Sequence, residues 1–197
     1  MIELLAITDD TAPAEPPLRV VRAGGLGVVV APASEDEVDA DALWRREALL
    51  ERLMEQRALL PVRFGTLVAD DAAAAEAVAG RSEALADALR RVRGAVELSV
   101  RAVAPGQPDE GSPGEHLQAR AAHERTAAAL HERLAAAARE HARHDGRELL
   151  RAAYLVDRSE VDRFVSLVRD LQAEYGELSI LCTGPWPPYS FAEPEGA

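Results

Sequence analysis

Histidine is the side chain that most often carries acid–base or metal chemistry near neutral pH. The five in this chain, His116, His123, His131, His141 and His144, crowd into one alanine- and arginine-rich stretch. That stretch reads as a single long helix from Ser112-Pro-Gly-Glu115, a capping pattern with proline at the first helical position, to about Asp145-Gly146. On such a helix His141 and His144, with Glu140 adjacent, share a face that could offer two imidazoles to a metal. No third ligand follows at a recognisable spacing, and His131-Glu132 lacks the second histidine of a zinc-protease helix. The expectation is a solvated, charged face and no metal site. Cys182, the one cysteine, sits in the strand-like run Leu178-Ser-Ile-Leu-Cys-Thr183 with no histidine close in sequence, so it is expected to be a small hydrophobe and not a nucleophile. The carboxylate pairs Asp9-Asp10 and Asp70-Asp71 stand where loops and helix starts use them. No serine occupies a Gly-x-Ser-x-Gly elbow, and Gly24-Gly25-Leu-Gly27 lacks the third glycine of a dinucleotide loop. Neither catalysis nor a cofactor is expected.

Two other segments are more unusual. Leu59-Leu-Pro-Val-Arg-Phe-Gly-Thr66 is an apolar run broken by an arginine. Such an arginine must turn to water or meet a carboxylate, because burying it unpaired is prohibitive. Thr183-Gly-Pro-Trp-Pro-Pro-Tyr-Ser-Phe191 places Pro185, Pro187 and Pro188 among Trp186, Tyr189 and Phe191, directly after the last expected strand. Aromatics make up only 4% of the chain, so three within six residues concentrate its contact surface. This segment is either a strap that closes a core or a surface that meets a partner.

The elements that must position these segments are readable from period and punctuation. Ile2 to Ile7 reads as a strand, followed by an acidic, proline-containing loop from Thr8 to Pro17. Arg19 to Arg22 and Gly25 to Ala31 flank Ala23-Gly24-Gly25 as a hairpin. Ser34-Glu-Asp-Glu37 is a capping box, and Leu43, Leu50 and Met54 mark the apolar stripe of a helix reaching about Arg57. Asp70 or Asp71 caps a second helix carrying Val78, Leu85, Leu89 and Val92, with a local break plausible at Gly80. After Gly94, Val96 to Ala104 alternates with period two, the clearest strand in the chain. Leu149 to Val156 is the next strand, and Asp157-Arg-Ser-Glu160 caps a last helix that Gly176 ends before the strand Leu178 to Thr183. The expected architecture is α+β in two domains, 1–93 and 94–197, with mixed or antiparallel sheets and helices on one face of each.

The 197 residues carry 34 acidic and 22 basic side chains, a net charge of −12, and every basic residue is arginine. That balance opposes duplex nucleic-acid binding, which needs clustered cations, and polybasic membrane anchoring. No apolar run approaches the ~20 residues of a membrane span and no signal-peptide pattern opens the chain, so a cytoplasmic protein is expected.

Leu60-Pro-Val-Arg-Phe-Gly-Thr66 and Gly184-Pro-Trp-Pro-Pro-Tyr-Ser-Phe191, in this order and at this separation, resemble the two signature segments of the gas vesicle protein GvpL/GvpF family. The resemblance extends over nearly the whole chain. Arg46-Glu47 stands where members often have a histidine-glutamate pair, so a role that depends on that histidine does not carry over. The resemblance implies a C-terminal part like a modified ferredoxin-like fold. It also implies an accessory protein of gas vesicle assembly, cytoplasmic and vesicle-associated, that contacts the hydrophobic shell subunit and other accessory proteins. Pro61, Arg63, Phe64, Gly65 and Thr66, with Gly184 to Tyr189 and Phe191, are the motif residues to which either a structural or a partner-contacting role then falls. The alternative is a small-molecule sensor or enzyme on a ferredoxin-like scaffold, although no polar constellation in the sequence supports it.

Overall fold

In a computed structural model, described for residues 1–9, 16–33, 40–104, 113–146 and 148–192, β1 (Ile2–Thr8) is followed by the hairpin β2 (Arg19–Ala23) and β3 (Leu26–Pro32). Gly24 at φ 57° and Gly25 at φ 80° form its two-residue turn. Both lie in the left-handed region that this turn requires and that larger residues resist. A Cβ added at Gly24 would come within 2.6 Å of the Ser82 Cβ, so this glycine also permits close packing.

The chain divides into two units, Met1–Gly94 with Pro187–Ala197, and Ala95–Trp186. The end of the chain, assigned by sequence to the second domain, thus groups with the first. In the first unit an antiparallel sheet runs β2-β3-β1-β4, with β4 (Leu59–Pro61) and the short β5 (Leu67–Val68) both pairing with β1. Three helices accompany it: α1 (Ala40–Gln56), α2 (Asp71–Ala79) and α3 (Ser82–Val92). Asp70 caps α2 by accepting from the Ala73 amide at 2.9 Å, and Gly80 ends that helix where a break was expected. Asp71 instead pairs with Arg19 at 2.7 Å. The capping box at 34–37 lies outside the described residues. The buried face of α1 is Arg46, Leu50, Leu53 and Met54, and Leu43, expected to join it, is 44% exposed.

The second unit runs β6 (Ala95–Val103), α4 (Pro113–Ala135), β7 (Glu140–Arg143), β8 (Leu150–Asp157), α5 (Val161–Glu174) and β9 (Ser179–Trp186). Its antiparallel sheet has the order β7-β8-β6-β9. This β-α-β-β-α-β path, with the first and third strands at the centre, is the ferredoxin-like arrangement. Leu98, Val100, Ala102, Tyr154 and Val156 of the sheet pack with Leu130, Leu134, Phe164, Val168 and Leu171 of the helices.

Three expectations about this unit are corrected. The histidine-rich helix stops at Ala135, and Glu140–Arg143 becomes an edge strand. The Arg139 amide donates to the Leu155 carbonyl at 2.8 Å and the His144 amide to Arg151 at 2.9 Å, so edge pairing with β8 overrides the helical propensity of the run. Asp157 caps nothing; a 3-10 turn, Arg158–Glu160, leads into α5, and Asp157 pairs with Arg139. The last strand continues through Gly184-Pro185-Trp186, with a register shift against β6 between Glu97 and Ser99. Gly184 has φ 123°, and a Cβ there would meet the Glu97 carbonyl at 2.7 Å. Only glycine fits this irregularity, and Pro185 is tolerated because β9 is an edge strand.

Candidate functional site

The first signature segment follows β4 as a loop folded against β1. The Val62 amide donates to the Leu5 carbonyl and the Leu4 amide to the Thr66 carbonyl, each at 2.9 Å. Within the loop the Thr66 hydroxyl donates to the Arg63 carbonyl at 2.7 Å, and Gly65, at φ 75°, makes the turn. Arg63 turns to water, one of the two outcomes open to it.

The carboxylate partnership formed here belongs to a different arginine. Arg46, from the buried face of α1, is 5% exposed. Its guanidinium pairs with Glu3 of β1, donates to the Val62 carbonyl at 2.5 Å and to Leu5 at 3.3 Å, and lies 5.2 Å from the centre of the Phe64 ring. Glu3 also accepts the Gly65 amide at 3.2 Å. One buried ion pair therefore joins the central strand, the first helix and the signature loop, and cation–π contact with Phe64 adds to it.

The next residue along the helix holds the second signature segment. The Tyr189 hydroxyl donates to the Glu47 carboxylate at 2.7 Å. Pro187, Pro188 and Phe191 are buried, a 3-10 turn spans Tyr189–Phe191, and the Arg91 guanidinium donates to the Phe191 carbonyl at 3.1 Å. Burial first, and then the Glu47 carboxylate, push the Tyr189 phenol well above its ordinary range. Within this unit Arg46 and Glu47 thus bring Phe64 and Tyr189 of the two segments to one helix, and Gly65 joins through Glu3. Trp186 and Gly184 belong to β9 in the other unit, where the indole donates to the Thr183 hydroxyl at 3.3 Å.

Sequence reasoning missed the surface beside this latch. Leu43 and Trp44 precede Glu47 by four and three residues, one helical turn away on the same side. Trp44 is 64% exposed and Leu43 beside it 44% exposed, two apolar side chains left in water one turn before the residue that holds Tyr189. The signal was present, because one of only two tryptophans sits near the start of a helix, directly before the charged run Arg45-Arg46-Glu47.

The remaining candidates from the sequence serve the fold. His131 is half-buried; its Nδ1 shares a 2.8 Å hydrogen bond with the fully buried Tyr154, and its ring stacks edge-on against His141 at 4.6 Å. Burial, then the nearby His141 and Arg143, lower its pKa. His141 lies on β7 and His144 just beyond it, so the shared helical face is not formed. Among the described residues no three His, Cys, Asp or Glu side chains gather as metal ligands. Cys182 packs partly against the second core, where burial raises its thiol pKa. A cavity of about 390 Å³ in the second unit is lined by Arg133, Arg139, Asp157, Glu160, Arg163 and Phe164. Each of its arginines is matched by a carboxylate: Glu174 at 2.5 Å for Arg133, Asp157 for Arg139, and Glu160 at 3.2 Å for Arg163. No helix among the described residues is long and apolar enough to cross a membrane.

The chain is similar to known proteins in sequence and in fold. The family model described as gas vesicle synthesis protein GvpL/GvpF matches residues 6–113 and 114–193. Gas vesicle protein F1 of Halobacterium salinarum is 31% identical over 81% of this chain and 70% of its own length. Gas vesicle protein L of a Streptomyces species is 29% identical over 90% and 84%. The crystal structure of gas vesicle protein GvpF from Microcystis aeruginosa superposes with a TM-score of 0.81 over 98% of each chain at 18% identity, a likeness of fold.

Proposed function

The chain belongs to the gas vesicle synthesis protein GvpL/GvpF family and takes part in gas vesicle formation, and from that premise we propose that it is an assembly factor that binds the hydrophobic shell subunit and does so without catalysis. The observation that carries this reading is the exposed Leu43–Trp44 patch next to the Glu47–Tyr189 latch. An exposed tryptophan next to an exposed leucine is the kind of anchor that dominates protein–protein contacts. In this reading the signature residues divide their labour. Phe64, Gly65, Pro187, Pro188 and Phe191 hold α1 and the returning tail in place, and Leu43, Trp44 and Tyr189 meet the partner.

A shell subunit with an apolar face aggregates through that face unless it is covered. A carrier with a net charge of −12 keeps the covered form dispersed by repulsion between copies. Co-purification with the shell subunit tests the reading. Leu43→Ser with Trp44→Ser should leave the thermal midpoint nearly unchanged, because both side chains are exposed, and should reduce capture of the subunit by about tenfold or more. Undiminished capture by a folded double variant would refute the proposal.

A further inference from the structure

Near its end α4 is joined to the sheet of the second unit by a polar cluster. Tyr154 of β8 is fully buried, and its ring packs on Phe164 of α5 at 5.3 Å between centres. Its hydroxyl meets Nδ1 of His131 of α4 at 2.8 Å, the one hydrogen bond of that hydroxyl among the described residues. Leaving a buried hydroxyl proton without an acceptor is costly, so Tyr154 donates and Nδ1 is the bare nitrogen of a neutral imidazole. His141 of β7 stands opposite Tyr154 in register, and its ring lies edge-on to that of His131 at 4.6 Å. Arg143, two residues along the same strand, turns to the same face. Both His141 and Arg143 are exposed, so the cluster opens to solvent at the edge of the sheet.

The groups that face His131 come from four elements. β8 presents the Tyr154 phenol, which burial keeps neutral, between the apolar Ala152 and Val156. α5 presents Phe164, Val168 and Leu171. β7 presents His141 and Arg143, while strand alternation turns Glu140 to the opposite face. On α4 itself, Glu132 stands about 100° further round the helix and Arg133 is paired with Glu174; His123 and Glu124 lie two turns back, about 10 Å along the axis. Burial, then His141 and Arg143, lower the His131 pKa. The negative end of α4 acts the other way, but its effect fades within a turn and His131 stands one turn before it. A second proton on His131 goes to Nδ1, where it confronts the Tyr154 proton and leaves one of the two donors without an acceptor. It also sets a cation beside His141 and Arg143.

We propose that this cluster is an acid-sensitive catch: neutral imidazoles hold the end of α4 and the edge strand β7 against β8, and their protonation loosens both. The folded protein binds the His131 proton less readily than the unfolded chain does. The contribution of the catch is therefore complete above about pH 7 and is lost as pH falls through about 6.5 toward the lower folded value. β6 and β9 pair on the other side of β8 and take no part in it. The catch works inside the second unit and does not depend on what the Leu43–Trp44 surface binds.

The test is amide hydrogen exchange of the full chain at about pH 7.5 and about pH 5.5, each corrected for the chemical exchange rate, with the imidazole signals followed by NMR over the same range. The amides of Leu130 to Ala135 and of Glu140 to Arg143 should lose protection by about tenfold on acidification, the equivalent of one pKa unit, while those of β6 and β9 keep theirs. His131→Gln with His141→Gln offers Tyr154 an acceptor and removes both titrating rings, so it should stay protected at the lower pH. Protection that does not change with pH, an equal loss in β6 and β9, or an undiminished loss in the folded double variant overturns the proposal. So does a His131 ring that titrates at or above about pH 6.5 in the wild-type chain, a measurement that needs no variant to fold.

Discussion

Arg46 and Glu47 are consecutive residues with opposite tasks. Arg46 points inward to Glu3, Val62 and Phe64, and Glu47 accepts the Tyr189 hydroxyl. Removing Arg46 leaves the Glu3 carboxylate, 16% exposed, with the Gly65 amide alone. Arg46→Ala is expected to destabilise the first unit by about 3 kcal/mol, and Arg46→Met combined with Glu3→Gln by less, because the pair is then removed without stranding a charge. Urea unfolding of the three proteins reads the order. Tyr189→Phe should cost about 1 kcal/mol or less, given the partial exposure of the ring. It should also change the alkaline limb. The folded-state phenol is raised above its unfolded value, so its contribution is complete below about pH 10 and is lost as pH climbs beyond that. Tyr154 is raised in the same sense and persists in the variant. The difference between the wild-type and Tyr189→Phe stability curves therefore shrinks from pH 10 upward, and a constant difference would mean that the latch bond is not formed.

At the scale of elements, the hairpin turn separates two roles of glycine. Gly24 and Gly25 both hold positive φ, but a Cβ on Gly25 meets nothing within 4 Å, whereas one on Gly24 runs into Ser82. Gly25→Ala should therefore cost about 1 kcal/mol for the conformation alone, and Gly24→Ala distinctly more, measured as denaturant midpoints. Equal costs would show that Ser82 moves aside freely. The elements also show where local reading fails. The run after Ala135 has the composition of a helix, yet it pairs as β7 because β8 presents an open edge to it. The residue pattern ends the last strand at Thr183, yet β9 extends to Trp186 because Gly184 allows the strand to pass the Glu97 carbonyl.

For the whole molecule, the net charge of −12 bears on the proposed client more than on the fold. If charge keeps the complex with the shell subunit dispersed, light scattering of the co-purified complex should rise as salt approaches ~1 M, where the Debye length falls to about 3 Å. The free protein, which buries most of its large apolar side chains and exposes only a few, should stay clear under the same conditions. Scattering that is independent of salt would remove charge from the mechanism.

The amino-acid sequence by itself determined the α+β class, the hairpin at Gly24-Gly25, the capping at Asp70, the break at Gly80, the strand after Gly94 and the family to which the chain belongs. These are local properties: turn chemistry, capping geometry and side-chain period act over a few residues and are written in their order. Only the tertiary structure decided that Glu3, Arg46 and Phe64 converge, that Tyr189 reaches Glu47 and that Trp44 is left in water. Glu47 and Tyr189 are 142 residues apart in the chain. Which distant groups meet depends on strand register and helix placement, which no short stretch of sequence encodes, and a charge is known to be paired or stranded only once its neighbours are in place.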